Sequence, residues 1–167
     1  MNGGVINAKD NAAIMGNGTV VDGDDRGYVT INFRDGVLNG GIESMGYSAC
    51  GIYMPNSGTV NVSGGVMNIE KGCGILMRAG RLNMTGGEIN CTDPTGIGFV
   101  GKVGDSSVTV PCAAIIMDEK AGYPGLKNGP FGAVITNGEL HSAEGLQDIV
   151  VLSDNPENVS VLDTRSI

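Results

Sequence analysis

The chain has no tryptophan, three phenylalanines, four tyrosines and one histidine in 167 residues. A core this poor in rings must be filled by Val, Ile, Leu, Met and Ala, which suits a narrow, layered interior. There is no run of Lys or Arg, and the net charge is −8 with a pI near 4.4. That balance excludes nucleic acid and anionic membranes as partners, and the acidity itself serves solubility. No apolar stretch approaches the roughly 18 residues of a membrane span. The opening MNGGVIN lacks the charged start and apolar stretch of a signal peptide. We therefore expect one domain of a longer protein, or a chain exported or assembled without a cleaved signal. None of the four cysteines forms a Cys-x-x-Cys pair and His141 stands alone, so neither a zinc site nor any cofactor is expected. No window has helical periodicity with caps.

What is abundant is glycine, at 29 residues without a Gly-X-Y period. The abundance reads as many tight turns rather than collagen. The stretch Thr59 to Asn90 contains one unit written twice. Val60-Asn61-Val62-Ser63-Gly64-Gly65-Val66-Met67-Asn68 matches Leu82-Asn83-Met84-Thr85-Gly86-Gly87-Glu88-Ile89-Asn90 at an offset of 22 residues. The core of the unit recurs as Gly3-Gly4-Val5-Ile6-Asn7, Asp35-Gly36-Val37-Leu38-Asn39 and Asn137-Gly138-Glu139-Leu140-His141. A flexible pair, one free position, an aliphatic and usually Asn is a turn feeding a short strand. Ile31-Asn32-Phe33 lies in phase with Val60-Asn61-Val62, and its alternation has the strand period. Second elements follow: Ala13-Ile14-Met15, Gly51-Ile52-Tyr53-Met54, Gly74-Ile75-Leu76-Met77 and Gly96-Ile97.

Three short strands per ~22-residue repeat predict an all-β fold, a parallel β-helix of about five to six coils. Stacked coils put equivalent residues on top of one another. The alignment expects Asn61 below Asn83, Ser63 below Thr85, Ile52 one coil from Ile75, and Cys50 and Cys73 stacked inside as small buried hydrophobes. Copies separated by more than one coil need looped-out insertions, at 22–27, 40–49, 98–107 and 119–130. Residues 1–147 form the β-helix. Residues 148–167 carry two strand-like runs that complete or cap it within the same domain, because an open end would be an unpaired sheet edge.

The repeated xΦxΦxGGxΦN and GIxM phrases, over about residues 1 to 145, resemble the right-handed parallel β-helix superfamily of pectin-lyase-like proteins. Within it the wording is similar to phage and prophage virion proteins and to bacterial surface repeat proteins. The resemblance implies a non-enzymatic structural or recognition module of a phage particle: capsid decoration, head fibre or tail spike component. It implies a location in the virion after assembly in the bacterial cytoplasm, where free thiols persist. It also implies a homo-oligomer, a trimer first, or a place in a larger virion assembly. The alternative is an extracellular or cell-surface protein that binds or acts on carbohydrate, with a possible glycan ligand.

Enzymes of the superfamily would be polysaccharide lyases or glycoside hydrolases. Polygalacturonase-like members need an Asn-Thr-Asp phrase, an Asp pair, a Gly-His-Gly phrase and an Arg-Ile-Lys phrase. Only Asp24-Asp25 could match, inside a turn-forming DGDDRG, so no catalytic residue is assigned. Asp105, Asp118 and Glu119 are the next carboxylate set, because they border the longest insertions. Asp22, Asp24 and Asp25 partly mimic a calcium loop, but Arg26 takes a ligand position and no closing Glu follows, so no metal site is expected. Met45, Tyr47, Tyr123, Pro124 and Leu126 are apolar residues on insertions that coil geometry sends outward, and they are the candidate interface residues.

Overall fold

The computed structural model describes residues 1–16, 27–41, 49–91, 93, 97–127 and 129–165. It is all-β, with two parallel sheets and no α-helix among the described residues. The strands are β1 (Asn2–Asn7), β2 (Ile14–Met15), β3 (Val29–Phe33), β4 (Asp35–Gly40), β5 (Cys50–Met54), β6 (Gly58–Ile69) and β7 (Cys73–Met77). They continue as β8 (Arg81–Cys91), β9 (Ile97–Val103), β10 (Ser106–Pro111), β11 (Ala113–Asp118), β12 (Gly132–Ser142), β13 (Ile149–Leu152) and β14 (Ser160–Asp163). The larger sheet runs β1-β4-β6-β8-β12-β14, with β3 also beside β6, and the smaller runs β13-β11-β7-β5-β2. The chain alternates between them, adding one layer to each sheet per repeat.

The repeat explains this. Val60 and Val62, then Met67 and Ile69, are the alternate residues of β6 that enter the core, and Leu82, Met84, Ile89 and Cys91 repeat them in β8. Ile52, Ile75 and Ile115 face them from β5, β7 and β11, all fully buried. Ile52 pairs with Ile75, and Ile75 with Ile115, so the aliphatic column runs straight through the layers. Neither sheet can bury this face alone. Stacking strands at ~4.8 Å supplies both the hydrogen bonds and the burial.

The long strands β6, β8 and β12 each replace a pair of shorter ones, since β6 pairs with β3 over its first limb and β4 over its second. The register slips where the limbs meet, at the Gly-Gly step. The second residue of that step has a positive φ in all five copies: Gly4 (89°), Gly36 (108°), Gly65 (80°), Gly87 (90°) and Gly138 (109°). That region is open to glycine and strained for other residues, so the pair makes a corner. The slip also corrects one expectation. Asn61 does lie against Asn83, but Ser63 pairs with Gly86 and not with Thr85, because the corner bulge takes up a residue.

The expected insertions at 22–27 and 40–49 lie largely outside the described residues, and the other two differ from open loops. Residues 98–107 belong to an antiparallel hairpin, β9 with β10, that extends to Pro111. Val108 and Val110 of β10 pack with Cys50, Tyr53, Cys73, Leu76, Ala113 and Ile116. These lie on the side of the smaller sheet away from the main core. Cys50 and Cys73 are therefore stacked and buried as expected, but in this second cluster and not inside between the sheets. The fourth insertion holds two short 3-10 turns, Glu119–Ala121 and Pro124–Lys127. In the last segment, β13 adds to β11 and β14 to β12, one strand to each sheet. No helix among the described residues is long and apolar enough to cross a membrane.

Candidate functional site

In-register stacking lines up outward side chains as strictly as inward ones. Asn39 donates from Nδ2 to Asn7 Oδ1 (2.7 Å), Asn68 to Asn39 (3.1 Å) and Asn90 to Asn68 (3.1 Å). A second ladder on the first limb joins Asn61 to Asn32 (2.9 Å) and Asn83 to Asn61 (3.0 Å). Each amide donates toward the N-terminal layers, so among the described residues each ladder ends on an Oδ1 that receives no donor at its C-terminal end. The first ladder ends against His141, which pairs with Asn90, and the second ends against Val134, which pairs with Asn83.

The free position of the motif lies two residues before each Asn, on the same face. It is Val5, Val37 and Val66 in three layers and Glu88 and Glu139 in the last two. Glu88 and Glu139 are directly paired across β8 and β12. Carboxylate oxygens of both and a ring nitrogen of His141 all lie within 4.8 Å of one another. His141 Nε2 is 3.1 Å from Glu139 Oε2, and Asn90 Nδ2 donates to Glu88 Oε1 across 2.9 Å. The two carboxylates also flank a groove of about 550 Å³ along the Gly-Gly corners, from Asp35 and Gly36 through Gly65 and Gly87 to Gly138. Its floor is glycine backbone, because a Cβ at Gly65 or Gly87 would meet a neighbouring layer within 3 Å.

The other concentration of polar chemistry lies at the end of β7 and β11. Arg78 donates from Nε to Asp118 Oδ2 (3.0 Å) and from Nη1 to Tyr53 OH (3.3 Å). Its guanidinium sits 5.8 Å from the Tyr53 ring centre and 5.5 Å from that of Tyr123. The two phenols meet at 3.0 Å. Burial raises the Asp118 carboxyl above its ordinary range despite Arg78 pulling it down, and burial likewise pushes the Tyr53 phenol up. Glu119 accepts from Ser153 Oγ (2.6 Å), and Lys120 pairs with Asp154. The cluster pins the 119–130 insertion back on the body.

Each residue singled out in the sequence has a definite standing. Asp22, Asp24, Asp25, Met45 and Tyr47 lie outside the described residues, as does the Pro124 side chain. Tyr123 and Leu126 are half-buried. The phenol of Tyr123 turns onto Tyr53, so coil geometry does not send this residue straight outward. Asp118 is held by Arg78, Glu119 by Ser153, and Asp105 lies exposed at the β9–β10 turn. Three of the thiols are held toward the protonated form, away from the thiolate a nucleophile needs. Cys50 and then burial raise Cys73, and burial raises Cys91 and Cys112. Glu88 and Glu139 were not singled out. The signal was a Val-to-Glu change at the free position in two aligned copies, coinciding with Asn-to-His in the last.

Compared with protein-family models, with curated proteins and with solved structures, the chain matches none of them.

Proposed function

We propose that the chain is a short right-handed parallel β-helix acting as a non-enzymatic structural or recognition module, of the kind carried on phage particles. Support for the β-helix comes from the register: equivalent positions of successive repeats pair strand to strand in both sheets. Parallel crossovers are nearly always right-handed, which gives the hand. The observation that carries the role is the pair of outward asparagine ladders. They tie neighbouring layers together on the solvent side, each bond contributing about 1 kcal/mol. The result is a stiff rod whose outer surface is spent on its own cohesion. Its terminal strands β1 and β14 each keep one unpaired edge among the described residues. Edges of that kind call for a neighbour or a cover. A trimer about a common axis, or attachment to a larger particle, supplies one.

The corner groove favours a second reading, a surface protein that holds a glycan. It is open, polar at its rim and about 550 Å³, within the size of small-ligand sites. Mass spectrometry of fractions from the encoding cells separates the two. The first reading expects the chain in purified particles after phage induction. Recovery only from the cell-wall fraction, with retention on a glycan array, would favour the second.

A further inference from the structure

We propose that Glu88, Glu139 and His141 form a site for one divalent transition-metal ion of the Zn²⁺ class, clamping β8 to β12. The two strands are neighbours in the sheet but are separated in sequence by the hairpin and the 119–130 insertion. Two carboxylates in direct register on adjacent strands repel one another. The sequence nevertheless places Glu at this position in these two layers and Val in the other three. A cation between them turns the repulsion into attraction.

The geometry suits such an ion. Metal bonds of about 2.1 Å in a tetrahedron set ligand atoms roughly 3.4 Å apart. His141 Nε2 and Glu139 Oε2 are already 3.1 Å apart, and all three ligand atoms fit within 4.8 Å. All three residues stand on strands, so one rotamer adjustment of Glu88 closes the set. Asn90 orients Glu88 by its 2.9 Å bond, as an outer partner does around a metal.

The asparagine ladder gives an independent pointer. It runs Asn7, Asn39, Asn68, Asn90, and no described residue donates to its last acceptor, Asn90 Oδ1. The next layer offers His141 there instead of an amide donor. An imidazole in that slot ends the ladder and adds a nitrogen ligand beside two carboxylates. One nitrogen and two carboxylates favour Zn²⁺, Co²⁺ or Mn²⁺ over Ca²⁺ and Mg²⁺, which take oxygen sets. Three protein ligands leave a coordination position facing the groove, open to water or to an anionic group of a bound molecule.

Titrating the full chain with Co²⁺ and recording visible absorption tests this. One equivalent should saturate a d–d band without thiolate charge transfer, because the buried cysteines take no part. Zn²⁺ should displace the Co²⁺ and raise the melting temperature, whereas equimolar Ca²⁺ should do neither. Glu139→Gln and His141→Ala should each weaken binding at least about tenfold, while Asp35→Asn, also on the groove, should leave it unchanged. Circular dichroism confirms that each variant is folded. No saturable band, or binding unchanged in His141→Ala, overturns the site.

Discussion

Asp118 and Arg78 form a buried ion pair in which Nε donates to Oδ2 across 3.0 Å while Asp118 is only 2% exposed. Burial is nevertheless the larger influence on the carboxyl, which is raised from its ordinary 3.8. The pair therefore does not fully repay the loss of water around the charge. A carboxyl raised in the folded chain binds its proton more tightly there than in the unfolded chain. Its contribution to stability thus grows more favourable as pH falls through the folded value, and levels off below the unfolded one. Asp118→Asn keeps an acceptor for Arg78 and removes the charge. It should match or exceed the parent in urea unfolding at pH 7, with the difference closing toward pH 4. A loss of several kcal/mol at pH 7 would show instead that the charge is net stabilising.

Ile75 sits between Ile52 and Ile115 in the central aliphatic column and is fully buried. Ile75→Ala leaves a cavity that flanking layers cannot collapse into, since their spacing is fixed by backbone hydrogen bonds. The expected loss is about 2–5 kcal/mol in denaturant unfolding. A change of a few tenths would mean that inside and outside are exchanged in this strand.

Gly87 has φ at 90°, and a Cβ there would lie 2.9 Å from Gly64 O and 3.2 Å from Val62 Cγ1. Gly87→Ala should cost about 1–3 kcal/mol from strain at the corner. Gly129 has no atom within 4 Å of a would-be Cβ and no positive φ. Gly129→Ala should stay within about 0.5 kcal/mol. Equal melting temperatures for the two variants would remove the corner's claim to need glycine.

Much of the layered fold could be read from the chain because parallel stacking repeats a residue's environment every layer. Val60 and Leu82, or Asn61 and Asn83, stand in equivalent surroundings and leave the same letters in sequence. What broke the repeat was harder to read. Thr85 was set one place wrong because a bulge changes count without changing composition. Ser106–Pro111 hid a hairpin strand because the residues before it, GFVGKVGD, look like loop. Cys50 and Cys73 seemed to face the interior because their strands are apolar throughout, and such a run cannot tell one face from the other when both are covered. The Glu88–Glu139–His141 cluster joins two repeats 51 residues apart, and only the register of β8 with β12 brings them together.

The last expectation concerns assembly. Tyr123 and Leu126 are half-buried on the 119–130 insertion, and Tyr123 is anchored through Tyr53 and Arg78. An anchored apolar segment loses little freedom on binding, so it makes a better contact than a loose one. Val100 and Val103, 51% and 38% exposed, add apolar surface on the β9–β10 hairpin. Repeating such a patch about a three-fold axis closes the contact without leaving it free to polymerise. Light scattering at micromolar concentration should therefore give about three times the 17.0 kDa chain mass. Leu126→Asp should shift the chain toward monomer while circular dichroism remains that of a β protein. Tyr123→Phe removes only the hydroxyl's bonds to Tyr53 and Arg78 and should leave the trimer in place. A monomer in every variant and in the parent would leave the insertion as ordinary surface, or as a seat for a different partner on a larger particle.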